Sequence, residues 1–190
     1  MDANQSNQSM WFVFALTTLA LLAGWGFRGW LTGQTRPVEA GGVSADLPAG
    51  WVVEDSSRGS LGGDDPARAF SAWNPLSPGT TYTVRVLPGS AEVDLASVAS
   101  VQNLQRAQSA TAYRTLEQTR VTLHGQAGYR VTFAFVDGSE AAKAPVVVNG
   151  VDYYFASGDA VLVISLETAG ALGDALGAFQ DFAASVSLGE

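Results

Sequence analysis

From Met10 to Phe27 the chain carries no charged residue, and no other feature constrains it as strongly. At about 1.5 Å per residue a helix over this run is roughly 27 Å long, close to the hydrocarbon thickness of a bilayer. A core helix is apolar along one stripe only, whereas this run is apolar all round. Trp11 stands at one end and Trp25 and Trp30 at the other, where amphipathic rings favour the membrane interface. Arg28 is placed to reach the headgroups. The pattern predicts a polar tail over residues 1–9 and a transmembrane helix over residues 10–30. A cleaved leader fits less well, because Met1–Ser9 carries no positive charge and the apolar run exceeds a leader's core. Thr17, Ala20 and Gly24 share one helix face, with Ala20 and Gly24 as a small-xxx-small pair on which another helix can pack closely. Alanine and glycine are also common in membrane helices without any such role.

Residues 31–42, with Pro37 and several glycines and no apolar period, read as a linker. What remains, residues 43–188, is one ordinary domain, large enough to bury a core without metal or disulfide staples. The 190-residue chain has no cysteine, which excludes disulfides, thiolate metal sites, a cysteine nucleophile and an N-terminal lipidated cysteine. Its net charge of −8 is spread along the sequence, Lys143 is the single lysine, and the arginines stand alone. A nucleic-acid partner is therefore disfavoured, as are anionic headgroups for the domain.

Short strands are expected at Val43–Leu47 and Trp51–Glu54 around a Pro48-Ala49-Gly50 turn, then at Ala67–Trp73 and Tyr82–Val86. Asp94 is a candidate N-cap for a helix to about Ala107, with Leu95, Val98, Val101 and Leu104 along one side. Arg114–Leu123 and Gly128–Val136 flank a hairpin signal at His124-Gly125, and Pro145–Phe155 and Ala160–Leu166 flank another at Ser157-Gly158-Asp159. Tyr129, Val131, Phe133 and Phe135 alternate onto one face. A last helix from Ala171 to about Val186 puts Leu172, Leu176, Phe179, Ala183 and Val186 on one stripe. This is an α+β order, an antiparallel sheet covered by two helices on opposite faces or together on one.

Catalytic constellations are scarce. His124, the single histidine, lies at a hairpin with no nucleophile elbow elsewhere. Zinc sites built on histidine need more nitrogen or sulfur ligands than the chain owns. Gly62-Gly63-Asp64-Asp65 superficially matches a nucleotide-cyclase turn without the surrounding pattern. Asp64 and Asp65, with Asp55, offer oxygen ligands for a hard cation, though a solvated acidic loop explains them more simply. No phosphate-binding, dinucleotide-binding or haem-attachment motif occurs, so no cofactor is expected. Trp73, Tyr82, Tyr153, Tyr154 and Phe155 read as core and cross-strand pairs, or in part as the lining of a lipophilic cleft.

The Leu47-Pro48-Ala49-Gly50-Trp51 opening, the mid-domain helix, the Leu123-to-Phe133 strand with its Gly-Tyr-Arg-Val-Thr-Phe segment, and the Tyr153-Tyr154-Phe155 strand before a C-terminal helix resemble the Mog1/PsbP-like family. The resemblance spans roughly Val43 to Val186 and rests on structural rather than catalytic residues. It implies an α/β/α sandwich that binds other proteins, often at a membrane complex, without catalysis, although the apolar anchor departs from plant-type PsbP. Joined to the small-residue helix face, the short linker and the missing catalytic set, this gives the expectation of a bacterial, single-pass, membrane-anchored accessory or scaffold subunit of a larger membrane complex, photosynthetic or respiratory. The partners would then be subunits of that complex, together with the bilayer. A tethered module for a lipid, pigment or other apolar ligand is the alternative. Arg28 and Arg36 follow the apolar run and Asp2 precedes it, so the positive-inside rule alone puts the domain in the cytoplasm. The resemblance points outward, and an extracytoplasmic domain is the expectation.

Overall fold

The computed structural model describes residues 11, 13–24, 34–55, 65, 67–75, 79–90, 92–138 and 144–189. A helix over residues 13–24, α1, precedes the domain and is exposed along its whole described length. Among the described residues no helix is long and apolar enough to cross a membrane. The expected span over 10–30 therefore extends beyond what is described.

The domain runs β1 (Thr35–Ala40), β2 (Val43–Pro48), β3 (Val52–Asp55), β4 (Arg68–Trp73), β5 (Thr80–Pro88), α2 (Leu95–Ser109), β6 (Thr111–Leu123), β7 (Gln126–Asp137), β8 (Val146–Ser157), β9 (Ala160–Thr168), α3 (Leu172–Ser185) and β10 (Ser187–Leu188). Seven strands form one sheet in the order β3-β4-β5-β9-β8-β7-β6, every neighbouring pair antiparallel. A second small sheet has the order β1-β2-β10.

The residues expected as a linker contribute β1. Thr35–Ala40 pair with Pro48–Val43 along their whole length. Gly41 and Gly42, with φ of 57° and 76°, form the two-residue turn between these strands. A Cβ on Gly41 would sit 2.6 Å from the Ala69 backbone, so the turn packs down on β4. Pairing with β2, not local propensity, makes β1 a strand, and Pro37 is tolerated because β1 is an edge.

Two cores lie on opposite faces of the large sheet. On one, α3 and β2 cover the sheet, and Phe70, Tyr82, Phe179 and Phe182 interlock, with the Tyr82 and Phe182 ring centroids 4.8 Å apart. Each such ring contributes about 1.5–3 kcal/mol by leaving water. On the other face α2 lies against β6, β7 and β8 over Val131, Phe133, Tyr154, Val161 and Val163. The two helices thus sit on opposite faces.

Asp94 caps α2, its side chain accepting from the Ala96 N–H at 3.2 Å. The inward stripe of α2 differs from the expected one. Leu95 and Val98 pack on the sheet, but Val101 and Leu104 are 55% and 62% exposed, and Ala99 and Asn103 are buried instead. The cause is polar: the helix is rotated so that Arg106 reaches a buried carboxylate.

Candidate functional site

Side chains alternate along each strand, so register alone decides which polar groups share a face. One row across the sheet reads Val131, Asp152, Ser165, Thr83, Ser71 and Glu54. The next reads Phe133, Gly150, Glu167, Thr81, Trp73 and Val52. Both rows point toward α2, which lies mainly over the β6–β8 part of the sheet and reaches β9 through Arg106. Asp152 and Ser165 are buried there, within a face that is otherwise apolar near α2.

Arg106 reaches down from α2 into this face. Its Nη1 donates to Asp152 Oδ2 at 2.5 Å and its Nη2 to Asp152 Oδ1 at 3.2 Å, a two-point grip. Nη2 also donates to Ser165 Oγ at 3.4 Å and lies 3.9 Å from Glu167 Oε1. The guanidinium stacks 4.2 Å over the Phe133 ring. The Tyr154 hydroxyl donates to Asp152 Oδ2 at 3.1 Å, and the Tyr113 hydroxyl to Asn103 Oδ1 at 2.7 Å.

The electrostatics favour a fixed, charged arginine. Desolvation works against the Arg106 charge, but the adjoining Asp152 and then Glu167 outweigh it and hold the guanidinium above its ordinary range. Burial pushes the Tyr154 phenol up, and the Asp152 charge beside it pushes it further. Burial likewise raises the Glu167 carboxyl, with Arg106 opposing. Asp152 is 1% exposed and accepts from Arg106 and Tyr154, so its oxygens are occupied from within the protein. Arranged this way, the cluster fastens α2 to the sheet.

Other predicted residues go to structural duties. His124 has φ of 48° and sits in the two-residue turn between Leu123 and Gln126. Asp65 accepts from Arg85 Nε at 2.8 Å and from the Ala67 N–H at 3.1 Å. The side chains of Asp55 and Asp64 lie outside the described residues, and among those described no group of three or more metal-ligating side chains gathers. Tyr82, Tyr153, Tyr154 and Phe155 are buried, filling the cores rather than lining an apolar cleft; Trp73 is 36% exposed at the end of β4. An open cleft of about 500 Å³ does exist, between the start of α3 and the β2–β3 and β4–β5 turns, but Trp51 shares its lining with Asn74, Thr80, Thr168 and Asp174.

On α1, the Thr17 and Thr18 hydroxyls donate back to the Val13 and Phe14 carbonyls at 2.8 and 2.9 Å. Thr17, Ala20 and Gly24 are exposed, as is Trp11; Trp25, Arg28 and Trp30 lie outside the described residues.

Reading single residues missed Arg106 and Asp152, because isolated charges look like surface. Two signals point to them. Asp152 is the only charge in Val146–Phe155, and Ala99, Asn103 and Arg106 recur at helical spacing.

By sequence, no family model and no curated protein matches the chain. By fold, solved structures do. A cyanobacterial PsbP from Synechocystis matches with a TM-score of 0.59 at 13% identity, covering 82% of this chain and 91% of that one. The Saccharomyces cerevisiae Ran-binding protein Mog1p matches with a TM-score of 0.53 at 15% identity, covering 82% and 95%. The chain has the Mog1/PsbP fold. At these identities the Mog1/PsbP likeness speaks for the architecture, and the site has to be judged on its own geometry.

Proposed function

We propose that this Mog1/PsbP-fold chain is a non-catalytic, membrane-anchored accessory or scaffold subunit of a larger membrane complex, with its acidic domain on the extracytoplasmic side. The observation that carries the reading is the exposure of α1. Trp11, Phe14, Leu16, Leu19, Leu21 and Leu22 are all at least 60% exposed, a surface that water does not tolerate on a helix of a soluble protein. The Thr17 and Thr18 hydroxyls are satisfied inside the helix, as an apolar surrounding requires.

Non-catalysis is supported by the internal use of the ionisable groups at Arg106, Asp152 and Asp65. Binding of a protein partner is supported by the fold's use in a Ran-binding protein. An apolar-ligand module is the weaker reading, since the rings expected to line its cleft are core.

Purification of the tagged full-length chain in mild detergent, with mass spectrometry of what accompanies it, tests the proposal. Stoichiometric recovery of other membrane subunits is expected, and Ala20→Leu with Gly24→Leu should release them. Recovery of a lone monomer in every mild detergent would overturn it. Protease treatment of intact cells should remove the domain; a protected domain would place it in the cytoplasm.

A further inference from the structure

The chain enters the domain at one end of the large sheet. The Gln34 carbonyl accepts from the Ala49 N–H at 2.7 Å, and Arg36 Nη2 donates to the Trp51 carbonyl at 2.6 Å. The point of entry is therefore fixed beside the β2–β3 turn. Positions 25–33, which precede it, span at most roughly 30 Å when fully extended.

The antiparallel register shows what else lies at that end. Val52 opens β3 opposite Trp73, which closes β4. Thr80 opens β5 opposite Thr168, which closes β9, and Thr168 faces Asn149 near the start of β8. Val146 and Val147 project β8 further, paired with Asp137 and Val136. Four exposed large apolar residues thus lie at the end where the chain enters, Val52, Trp73 and Val146 on the α2 side of the sheet and Val147 on the other. With strands about 4.8 Å apart, β4 and β8 lie roughly 15 Å from each other, so these residues bracket a strip rather than a point. The opposite end, with His124-Gly125 and Ser157-Gly158-Asp159, shows no large exposed apolar side chain among the described residues; Val101, Leu104 and Leu116 lie on the α2–β6 flank. Among the described residues the charges at the apolar end are Arg36, Asp137, Asp174 and Glu167, the last held 3.9 Å from Arg106.

We infer that this end of the domain rests on the bilayer surface, with Trp73, Val52, Val146 and Val147 inserted among zwitterionic headgroups. The inference rests on the anchor proposed above and adds an orientation to it. The short tether keeps the strip within reach of the lipid. A tryptophan with aliphatic neighbours is suited to the interface, and the acidic domain selects against anionic lipid.

The chain has no cysteine, so single nitroxide labels can be placed at will. Full-length protein is reconstituted in phosphatidylcholine nanodiscs with Thr17→Cys, Trp73→Cys, Val147→Cys, His124→Cys or Asp159→Cys. Collision with membrane-dissolved oxygen is then compared with collision with a water-soluble nickel chelate. Labels at 73 and 147 should favour oxygen, and labels at 124 and 159 nickel, with the label at 17 deep in the bilayer. If position 17 reports the bilayer but 73 and 147 are as wet as 124 and 159, the orientation is overturned and the anchor stands. If position 17 is itself wet, the anchor fails and the inference with it. Because the discs hold no second protein, oxygen preference at 73 and 147 identifies lipid as the occupant.

Discussion

The Phe133 ring lies across the backbone of Gly150, its direct partner on the neighbouring strand, in the space where any other residue would carry a side chain. A Cβ on Gly150 would stand 2.3 Å from the ring. The same ring carries the Arg106 guanidinium, 4.2 Å from its centroid. The glycine therefore sets the depth at which the ring lies, and the ring sets the height of the arginine above Asp152. Gly150→Ala should destabilise the domain by about 1–3 kcal/mol, the usual cost of overpacking. A urea titration checks this, and a midpoint equal to the parent's would mean that the ring moves aside freely.

The Arg106–Asp152 pair separates two accounts of a buried ion pair. Asp152→Ala leaves a guanidinium that is only 15% exposed without its counter-charge, which should cost about 3–5 kcal/mol. Replacing both partners, Arg106→Met with Asp152→Leu, removes the charge altogether and should recover most of that loss. Thermal unfolding of the three variants decides the matter. A double variant as weak as the single one would show that the ion pair itself, rather than the avoidance of a lone charge, secures α2.

Burial pushes the Tyr82 phenol from 10.0 up to about 12. Its folded value exceeds its unfolded one, so the associated stability is full below pH 10 and is lost as pH rises toward 12. With about 1.4 kcal/mol per unit, the loss from this residue is of order 3 kcal/mol. Denaturant melts at pH 9, 10 and 11 should weaken progressively, and Tyr82→Phe should flatten the trend. Tyr154, also raised by burial, should keep part of it. A parent protein equally stable at pH 9 and 11 would contradict this.

His124 has a left-handed backbone that asparagine adopts more readily and a β-branched residue resists. His124→Asn should be neutral or slightly stabilising, and His124→Val should cost about 1–2 kcal/mol. A catalytic or metal-binding histidine would not be replaceable by asparagine without loss, so retention of partner binding in His124→Asn doubles as a check on the structural role.

Much of the fold is written locally. The alternation at Tyr129, Val131, Phe133 and Phe135, the Asp94 cap, and the hairpins at His124-Gly125 and Ser157-Gly158-Asp159 each reflect a rule acting over a few residues. What escaped depends on partners far away in sequence. Strand β1 exists because β2 lies beside it, so its Gly41-Gly42 turn looks like a linker until the pairing is known. The Arg106–Asp152 cluster joins positions 46 residues apart, and neither residue announces its partner. The same holds for Val52 and Trp73, which only the register of β3 with β4 brings side by side.

The rotation of α2 gives the last prediction. If apolar periodicity ruled the helix, Leu104 would be core and Ala99 a bystander. In the structure Leu104 is 62% exposed, while Ala99 is fully buried against the sheet. Leu104→Gln should therefore change stability by no more than about 0.5 kcal/mol, as surface substitutions do. Ala99→Leu adds a branched side chain where the helix meets the sheet, and should cost about 1–3 kcal/mol. It should also lift Arg106 from Asp152, because the helix moves as a rigid rod. Chemical denaturation of both variants, with hydrogen exchange along α2, reads the two effects together. A large loss at Leu104 and none at Ala99 would show that the apolar stripe, not the buried arginine, orients the helix.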